Sequence, residues 1–316
     1  MVIALTGCSG IISDVASTGH RGGSAIEAGS TDSGLAPRDR SAPGDENAPD
    51  VGGGTAGLDA STGVRDGGGI LPGRKLTWSD EFDGPAGSAP DPTKWRYQTG
   101  GSGFGNNELE YYTNRRENSY LDGNGHLIIE ARAEPFSGRS YTSARINTSG
   151  MFSQRNGRFE GRIQLPGGGK GVWPAFWTLG SNIGSVGWPR CGEIDIMENR
   201  GSEPTMNHGS AHGPGYSAGQ AWTRTYTLPN GQRFPDDFHE FAIEWDDASV
   251  RWFVDGQIYN TMTPADLEAR GVIWVFDGPA YVILNVAIGG TFDGNPTATT
   301  QFPAKMVVDY VRSYAN

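Results

Sequence analysis

The sequence has few cysteines, an excess of acidic over basic residues, and no long apolar run. Its 316 residues include two cysteines, which cannot build a disulfide framework and do not have the spacing of a zinc site. Lys and Arg number 25 against 36 Asp and Glu, a formal net charge of −11, whereas nucleic acid and anionic membrane surfaces attract basic proteins. No run approaches the roughly 18 apolar residues of a membrane-spanning helix. We therefore expect neither a nucleic-acid-binding nor a membrane-spanning protein.

Aromatic residues are missing from one long segment. Residues 9–72 contain no Phe, Trp or Tyr, so the aromatic residues begin at Trp78. This segment is mainly Gly, Ser, Ala, Asp, Thr and Pro, and such a composition buries too little apolar surface to offset chain entropy. We predict a disordered linker over residues 9–72 and one folded domain over residues 73–316.

The first eight residues end in Leu-Thr-Gly-Cys, which resembles a bacterial lipobox whose cysteine is lipidated after signal cleavage. Only seven residues, none of them Lys or Arg, precede Cys8, which is too short for a complete signal peptide. Either the true start lies upstream or the match is chance. In the first case, residues 1–8 are a partial signal segment, and lipidated Cys8 tethers an extracellular or cell-envelope protein to a membrane.

The folded domain has the pattern of an all-β protein. Short runs rich in β-branched and aromatic residues alternate apolar and polar positions and are separated by Gly, Pro, Asn and Asp. The clearest predicted strands are His126–Arg132, Gly157–Leu165, His239–Trp245, Val250–Val254, Tyr281–Ala287 and Met306–Arg312. Asp255-Gly256 predicts a hairpin turn, and the one predicted helical turn is Pro264–Arg270. This pattern indicates a sandwich or a barrel.

The stretch CGEIDIMENR carries three acidic residues. Glu193 and Asp195 are two positions apart, so on a strand they point to the same face. Ile194 and Ile196 point to the other face. Glu198 would point away in a regular strand, but one extra residue near Met197, a β-bulge, returns it to the face of the other two. Three neighbouring carboxylates cannot all ionise freely, so we expect at least one raised pKa.

This spacing suits glycoside hydrolysis. The Cα atoms of Glu193 and Glu198 would lie about 13 Å apart, four strand steps of roughly 3.3 Å. Their carboxyls could then approach the roughly 5–5.5 Å used by retaining glycosidases, where one is the nucleophile and the other the acid and then the base. Asp195 would orient the nucleophile. A calcium-binding acidic strand and a solvated charged edge are the alternatives. Calcium loops usually mix in Asn, Gly and carbonyl ligands and lack the isoleucine alternation, and a solvated edge would not be flanked by so many tryptophans.

Trp173, Trp177 and Trp188 precede the acidic stretch, and His212 follows it. Indole faces stack on the C–H faces of sugars, so tryptophans beside carboxylates suit a sugar-binding cleft. A place in the sandwich core is the alternative for each tryptophan, and it is the interpretation that we favour for Phe176. A lone histidine such as His212 is otherwise a structural or surface residue.

Together these residues resemble glycoside hydrolase family 16, in its laminarinase-like branch. The matching elements, in the order of the family, are Gly105–Tyr112, Ser143–Arg145, Trp173–Trp177, Gly192–Glu198, Ile283–Gly290 and Val308–Arg312. The resemblance implies a concave β-jelly-roll sandwich of two antiparallel sheets, whose cleft binds a polysaccharide that is cleaved with retention. The extra residue at Met197 matches the bulged branch, typical of enzymes on β-1,3-glucans.

The resemblance also implies roles for individual residues. Glu193 corresponds to the nucleophile, Asp195 to its assistant and Glu198 to the acid/base. The implied glucan-binding residues are Asn107, Arg145, Trp173, Trp177, Trp188 and His212. Outside the family, Arg145 could pair with a core acid and Asn107 could close a turn.

Many relatives bind one structural calcium ion, although the chemistry requires no cofactor. By position, its ligands here would be the carbonyls of Glu81 and Gly125 and the side chain of Asp309. The alternative is that Asp309 caps an edge strand. Cys191 has no partner in the domain and is expected to be a buried small apolar residue.

We therefore expect a monomeric endo-β-1,3-glucanase that acts on laminarin-type glucans. The same chemistry on mixed-linkage β-1,3-1,4-glucan, or on a galactan such as agarose, is one alternative. A non-catalytic β-glucan-binding module is another, although such relatives typically lose their glutamates and all three acids are present here.

Overall fold

The computed structural model describes residues 74–316, and the predicted segments at 1–8 and 9–72 lie outside them. The strands are β1 Lys75–Asp80, β2 Arg96–Tyr97, β3 Glu110–Tyr112, β4 Ser119–Leu121, β5 Leu127–Phe136, β6 Arg139–Ser143, β7 Arg145–Asn147, β8 Gly157–Gln164, β9 Val172–Gly180, β10 Glu193–Glu198, β11 Met206–His212, β12 Trp222–Thr227, β13 His239–Trp245, β14 Val250–Val254, β15 Gln257–Met262, β16 Ala280–Ile288 and β17 Ala304–Ala315. The helices are α1 Ile183–Val186, α2 Pro264–Glu268 and α3 Gly290–Asp293, with 3₁₀ turns at Ala218–Gln220, Pro229–Gly231 and Phe234–Asp236. In this part of the chain no helix is long and apolar enough to cross a membrane.

The strands form two sheets, as predicted. The ten-stranded sheet has the order β15-β14-β13-β8-β17-β5-β6-β3, with β1 paired to β17 and β4 paired to β5. The seven-stranded sheet has the order β12-β11-β10-β9-β16-β7-β2. One pairing departs from the antiparallel expectation, because β3 runs parallel to β6 at the end of the larger sheet. A tight turn from β5 into β6 sets the direction in which β6 lies beside β3.

The core lies between the two sheets, because alternate residues of each strand point inward. Ile194 and Ile196 of β10 are buried there, and so are Trp245 and Trp252 of the ten-stranded sheet. Each fully buried side chain of this size contributes roughly 1.5–3 kcal/mol. Phe176 is also fully buried, as expected. The core therefore fixes which face of β10 carries the acidic residues.

The local predictions agree closely with the structure. His239–Trp245 and Val250–Val254 are strands with the predicted bounds. Asp255 and Gly256 both have positive φ, 48° and 74°, which is the type I′ geometry of a two-residue hairpin. The predicted helical turn corresponds to α2, which begins with a capping box formed by Thr263 and Asp266.

Candidate active site

Strand β10 carries the three acidic residues and lies between β9 and β11. Its pairing with β11 is regular from Glu193↔His212 to Asp195↔Ser210 and resumes at Glu198↔His208. Two residues of β10 therefore face a single residue of β11, which is the β-bulge that the spacing predicts. The bulge restores Glu198 to the face of Glu193 and Asp195, opposite the buried isoleucines.

Each carboxyl of this group has its own hydrogen-bond donor. Trp188 donates its indole N–H to Oε2 of Glu193, at 3.0 Å. Trp173 donates its indole N–H to Oε1 of Glu198, also at 3.0 Å. Nε2 of His212 lies 2.9 Å from Oδ2 of Asp195 and 3.7 Å from Oε1 of Glu193. These contacts orient all three acids from neighbouring strands and loops.

Burial raises the pKa of Glu193, Asp195 and Glu198 to about 8 in each case. The charge of Asp195 is the second cause of the raised pKa for both glutamates. The charge of His212 acts in the opposite direction on both glutamates. Because all three pKa values are raised to about 8, the group retains protons near neutral pH. A retained proton suits a general acid, and the charge of His212 favours ionisation of the glutamates.

The predicted sugar-binding residues Arg145 and Trp177 lie next to the acids. The guanidinium carbon of Arg145 lies 4.8 Å from the centre of the Trp177 ring and 5.0 Å from that of Phe104. Trp177 is opposite Asp195 in the β9–β10 pairing. The charge of Arg145 lowers the pKa of Glu193, so the cation supports the ionised form of that carboxyl. This arrangement places a cation and an aromatic face beside the acids.

Asn107 lies in the loop before β3 and is exposed, with a φ of 59°. Asparagine tolerates this left-handed conformation better than most residues, so the turn by itself accounts for an asparagine at this position. Within residues 74–316 no side-chain hydrogen bond joins it to the three acids. Its role in binding sugar stays a prediction.

A second pair of acids, Glu108 and Glu110, lies beneath this region and was not among the predicted site residues. Both are buried, and burial together with the charge of Glu108 raises the pKa of Glu110 well above its usual range. Tyr112 donates its hydroxyl to Glu108 at 2.9 Å, and Asn285 donates to that hydroxyl at 3.2 Å. Trp177 in turn donates its indole N–H to Asn285 at 2.8 Å. The chain of hydrogen bonds thus connects Glu108 with Trp177, which lies opposite Asp195.

The alternation Glu-Leu-Glu-Tyr-Tyr in residues 108–112 is the sequence signal for this pair. Like Glu193 and Asp195, the two glutamates are two positions apart on an extended segment. Sequence spacing alone does not distinguish a buried pair that supports the cleft from a pair that lines it.

Phe292 of α3 is a further site residue that the sequence pattern did not single out. Its ring lies 5.0 Å from that of Trp173, and the guanidinium carbon of Arg200 lies 4.3 Å from its centre. Asp293 holds this segment by accepting hydrogen bonds from the backbone N–H groups of Gly171, at 2.7 Å, and Ser202, at 3.2 Å. The segment therefore extends the site beyond Glu198.

Glu193, Asp195 and His212 also have the composition of a metal site, with one ligand atom from each residue within 4.8 Å of the others. The hydrogen bond from His212 to Asp195 accounts for the closest of these contacts. The predicted calcium ligands Glu81, Gly125 and Asp309 belong to a different region, around β17 in the ten-stranded sheet. Cys191 is buried and forms no disulfide within the part of the chain that the structure describes, and burial raises the pKa of its thiol to about 12, which makes it a poor nucleophile.

Comparison with known proteins agrees with this architecture. The profile of Glycosyl hydrolases family 16 matches residues 106–312. Over 248 residues the chain is 46% identical to a beta-glucanase of Rhodothermus marinus. The aligned region covers 76% of this chain and 85% of that protein. The catalytic domain of a laminarinase from Thermotoga maritima superposes with a TM-score of 0.73 at 48% identity, covering 77% of this chain and 98% of that domain. An endo-beta-1,3-glucanase from Pyrococcus furiosus superposes with a TM-score of 0.73 at 50% identity, covering 77% of this chain and 94% of that protein. The chain belongs to glycoside hydrolase family 16, and it is a glycoside hydrolase.

Proposed function

We propose that this protein is a retaining endo-β-1,3-glucanase that hydrolyses internal bonds of laminarin-type glucans. The observation that carries the proposal is the arrangement of Glu193 and Glu198 on one face of β10, with Asp195 between them and a separate indole donor on each glutamate. Two carboxyls flanking a scissile bond are the usual machinery of glycoside hydrolysis. The similarity to laminarinases and endo-β-1,3-glucanases supports the choice of polymer.

In the first step, Glu198 gives its proton to the glycosidic oxygen as the bond from that oxygen to the anomeric carbon breaks. A carboxylate oxygen of Glu193 forms a bond to the same carbon, which produces a covalent glycosyl-enzyme. In the second step, Glu198 takes a proton from water, the water oxygen bonds to the anomeric carbon and Glu193 departs as a carboxylate. The two displacements return the original anomeric configuration.

The surrounding side chains assist each step. His212 and Arg145 favour the ionised form of Glu193, because the charge of each lowers the pKa of that carboxyl. The burial of Glu198 favours its protonated form, which the first step requires. Asp195, hydrogen-bonded to His212, holds the imidazole beside the nucleophile.

Reducing-sugar release from laminarin, lichenan and agarose tests the proposal. We expect laminarin to be the preferred substrate, and Glu193→Gln to be folded and to lose at least about 10³-fold in kcat. Glu117→Gln, on an exposed residue outside the site, is the matched control and keeps its activity. The proposal is wrong if Glu193→Gln hydrolyses laminarin like the wild type. Faster release from lichenan or agarose would overturn the choice of polymer, and binding of laminarin without turnover would indicate a binding module.

We also propose a structural calcium ion at β17. Pairing of β1 with β17 ends at Asp80↔Val311, and pairing of β5 with β17 ends at Leu127↔Val308. Glu81 directly follows β1 and Gly125 comes shortly before β5, so both lie near Asp309 of β17. Their main-chain carbonyls and the Asp309 carboxylate are the kind of oxygen ligands that calcium prefers. Asp309 also accepts a hydrogen bond from Arg162 through Oδ2, at 2.7 Å, which leaves Oδ1 for a cation.

Thermal unfolding in calcium and in EGTA tests this site. Calcium should raise the Tm of the wild type and leave that of Asp309→Asn unchanged, whereas Asp83→Asn, an exposed control, should respond like the wild type. An equal increase in the wild type and Asp309→Asn would contradict the assignment.

We further propose that the enzyme is exported, acts as a monomer and is tethered through lipidated Cys8. The lipobox-like residues before Cys8 and the polar composition of residues 9–72 support this location. Cys8→Ser should shift the protein from the membrane fraction to the soluble fraction after expression in a bacterial host. An unchanged distribution would contradict the tether, and light scattering of the purified protein would test the monomer.

A further inference from the structure

At the bulge, the β10–β11 pair is joined to the opposite sheet by two hydrogen bonds that cross the sandwich. Trp252 of β14 donates its indole N–H to the main-chain carbonyl of Asp195, at 2.8 Å. Asn260 of β15 donates its side-chain N–H to the main-chain carbonyl of Gly209, at 3.2 Å. Trp252 and Asn260 are direct partners in the β14–β15 pairing. One cross-strand pair of the ten-stranded sheet therefore supplies both donors.

Both acceptor carbonyls lie where the regular pairing of β10 is interrupted. Regular pairing ends at Asp195↔Ser210 and resumes at Glu198↔His208, so Gly209 is the single residue that faces the inserted part of β10. A bulge disrupts the ladder locally, and buried carbonyl groups in a folded protein almost always accept a hydrogen bond. Trp252 and Asn260 satisfy this need from the other sheet.

The packing around Gly209 makes this contact specific. A Cβ atom at Gly209 would lie 2.7 Å from Cδ1 of Trp252 and 2.2 Å from the hydroxyl oxygen of Tyr259. Glycine therefore allows the indole to lie against β11 and to reach the carbonyl of Asp195. Trp222 donates to the amide oxygen of Asn260 at 3.0 Å, which orients the amide nitrogen toward Gly209. Trp252 itself is completely buried.

We propose that Trp252 is a positioning residue for Glu198, an inference that rests on the proposed function. Its hydrogen bond holds the main chain at the bulge, and the bulge sets the position of Glu198 relative to Glu193. Proton transfer depends steeply on this position, because a misplacement of about 1 Å can reduce a rate by about 10²-fold. The indole touches no substrate and acts only through the backbone of Asp195.

Trp245 provides a matched control on the neighbouring strand β13. It is also buried in the core, and its indole N–H also donates to a main-chain carbonyl, that of Phe276, at 2.9 Å. Phe276 lies outside the bulge and outside the acidic strand. Trp245→Phe and Trp252→Phe therefore remove the same kind of hydrogen bond from the same core, but only the bond of Trp252 is connected to Glu198.

The first measurement is steady-state hydrolysis of laminarin by the full chain. We expect Trp252→Phe to lower kcat by about 10- to 100-fold with KM within about threefold of the wild type, and Trp245→Phe to keep kcat within about threefold. Similar losses of thermal stability in the two variants would show that the difference in kcat does not come from the fold as a whole. Equal values of kcat for the two variants would overturn the inference.

The second measurement isolates the proton donor. A dinitrophenyl β-glycoside of laminaribiose releases a phenolate that needs no proton from Glu198, so its release in a single turnover reports attack by Glu193 alone. We expect Trp252→Phe to retain this rate within about fivefold while it loses laminarin hydrolysis. An equal loss on both substrates would indicate a general structural defect and would also overturn the inference.

If Trp252→Phe does not fold, Gly209→Ala applies the same test, because the added methyl would collide with the indole of Trp252, and with the hydroxyl of Tyr259, without removing the indole. Its control is Gly184→Ala, where a Cβ atom meets nothing within 4 Å. Gly209→Ala should show the same selective loss on laminarin, and wild-type kcat in a folded Gly209→Ala would overturn the inference. A wild-type protein that cleaves neither substrate would instead contradict the proposed function.

Discussion

Replacement of Glu198 by glutamine is expected to stabilise the folded protein at alkaline pH while it abolishes hydrolysis. The side chain is 9% exposed, and burial followed by the charge of Asp195 raises its pKa from 4.5 to about 8. Between these two values the folded chain binds more protons than the unfolded chain. The free energy of unfolding of the wild type therefore falls as the pH rises through this range. Glutamine has no proton to lose, so this contribution disappears in the variant.

The magnitude follows from the shift. A rise from 4.5 to about 8 is about 3.5 pKa units, and at about 1.4 kcal/mol per unit the ionised carboxyl costs up to about 5 kcal/mol. The carboxyl of Glu198 interacts electrostatically with those of Glu193 and Asp195, so removing one acid relieves only part of this cost. We expect the variant to exceed the wild type by about 2 kcal/mol at pH 9 and to differ little at pH 5.

Urea unfolding followed by tryptophan fluorescence at pH 5 and pH 9 measures this difference. Glu117→Gln, on an exposed glutamate, is the control and should follow the wild type at both pH values. Other ionisable groups change the stability of all three proteins alike, so the comparison isolates Glu198. The reasoning is refuted if Glu198→Gln loses as much stability between pH 5 and pH 9 as the wild type.

Three further substitutions test other contacts of the structure. Trp173→Phe removes the indole donor that lowers the pKa of Glu198, so the alkaline limb of the kcat profile on laminarin should move to higher pH by several tenths of a unit. Tyr112→Phe breaks the hydrogen-bond chain from Glu108 to Trp177 and should raise KM about three- to tenfold, more than it lowers kcat. Ile129→Ala removes a fully buried side chain far from the acids and should cost about 2–5 kcal/mol in urea unfolding with unchanged activity of the folded enzyme.

Each of these has a control. Trp188→Phe removes the donor to Glu193 instead, so the acidic limb of the kcat profile on laminarin should move to higher pH. Tyr310→Phe removes a hydroxyl of β17 that donates to Glu240 of β13, away from the three acids, and should leave KM unchanged. Ile258→Ala changes a side chain that is 53% exposed and should cost less than about 1 kcal/mol. A shift of the alkaline limb to lower pH in Trp173→Phe would contradict the argument about Glu198. Equal KM values for Tyr112→Phe and Tyr310→Phe would contradict the argument about the hydrogen-bond chain.

Local patterns predicted a large part of the fold. The alternation in residues 239–245 and 250–254 defined strands to the residue, and Asp255-Gly256 predicted the turn between β14 and β15. The bulge in β10 was predictable because Glu198 shares a face with Glu193 only if the chain has one extra residue. These features depend on neighbours within a few positions, and such information is present in the sequence itself.

The residues that support the tryptophans beside the acids were less accessible to sequence reasoning. Phe292 and Asn285 lie about 90 positions or more after the acidic stretch, and no spacing rule connects them with it. Glu108 and Glu110 showed the same alternation as the catalytic candidates, but only the fold distinguishes a buried pair from a pair in the cleft. The expected all-antiparallel arrangement also missed the parallel pairing of β3 with β6, because strand direction at a sheet edge depends on the path of the chain between strands.

The sequence by itself determined that three carboxyls share one face of a strand beside tryptophans, because side-chain direction on a strand has a strict period of two. Only the tertiary structure decided which groups tune those carboxyls: Trp188 on Glu193, Trp173 on Glu198, and Trp252 behind the bulge from the other sheet. The physical reason is that the register of each strand, and the packing of one sheet on the other, result from many long-range contacts at once. No short stretch of residues contains that information.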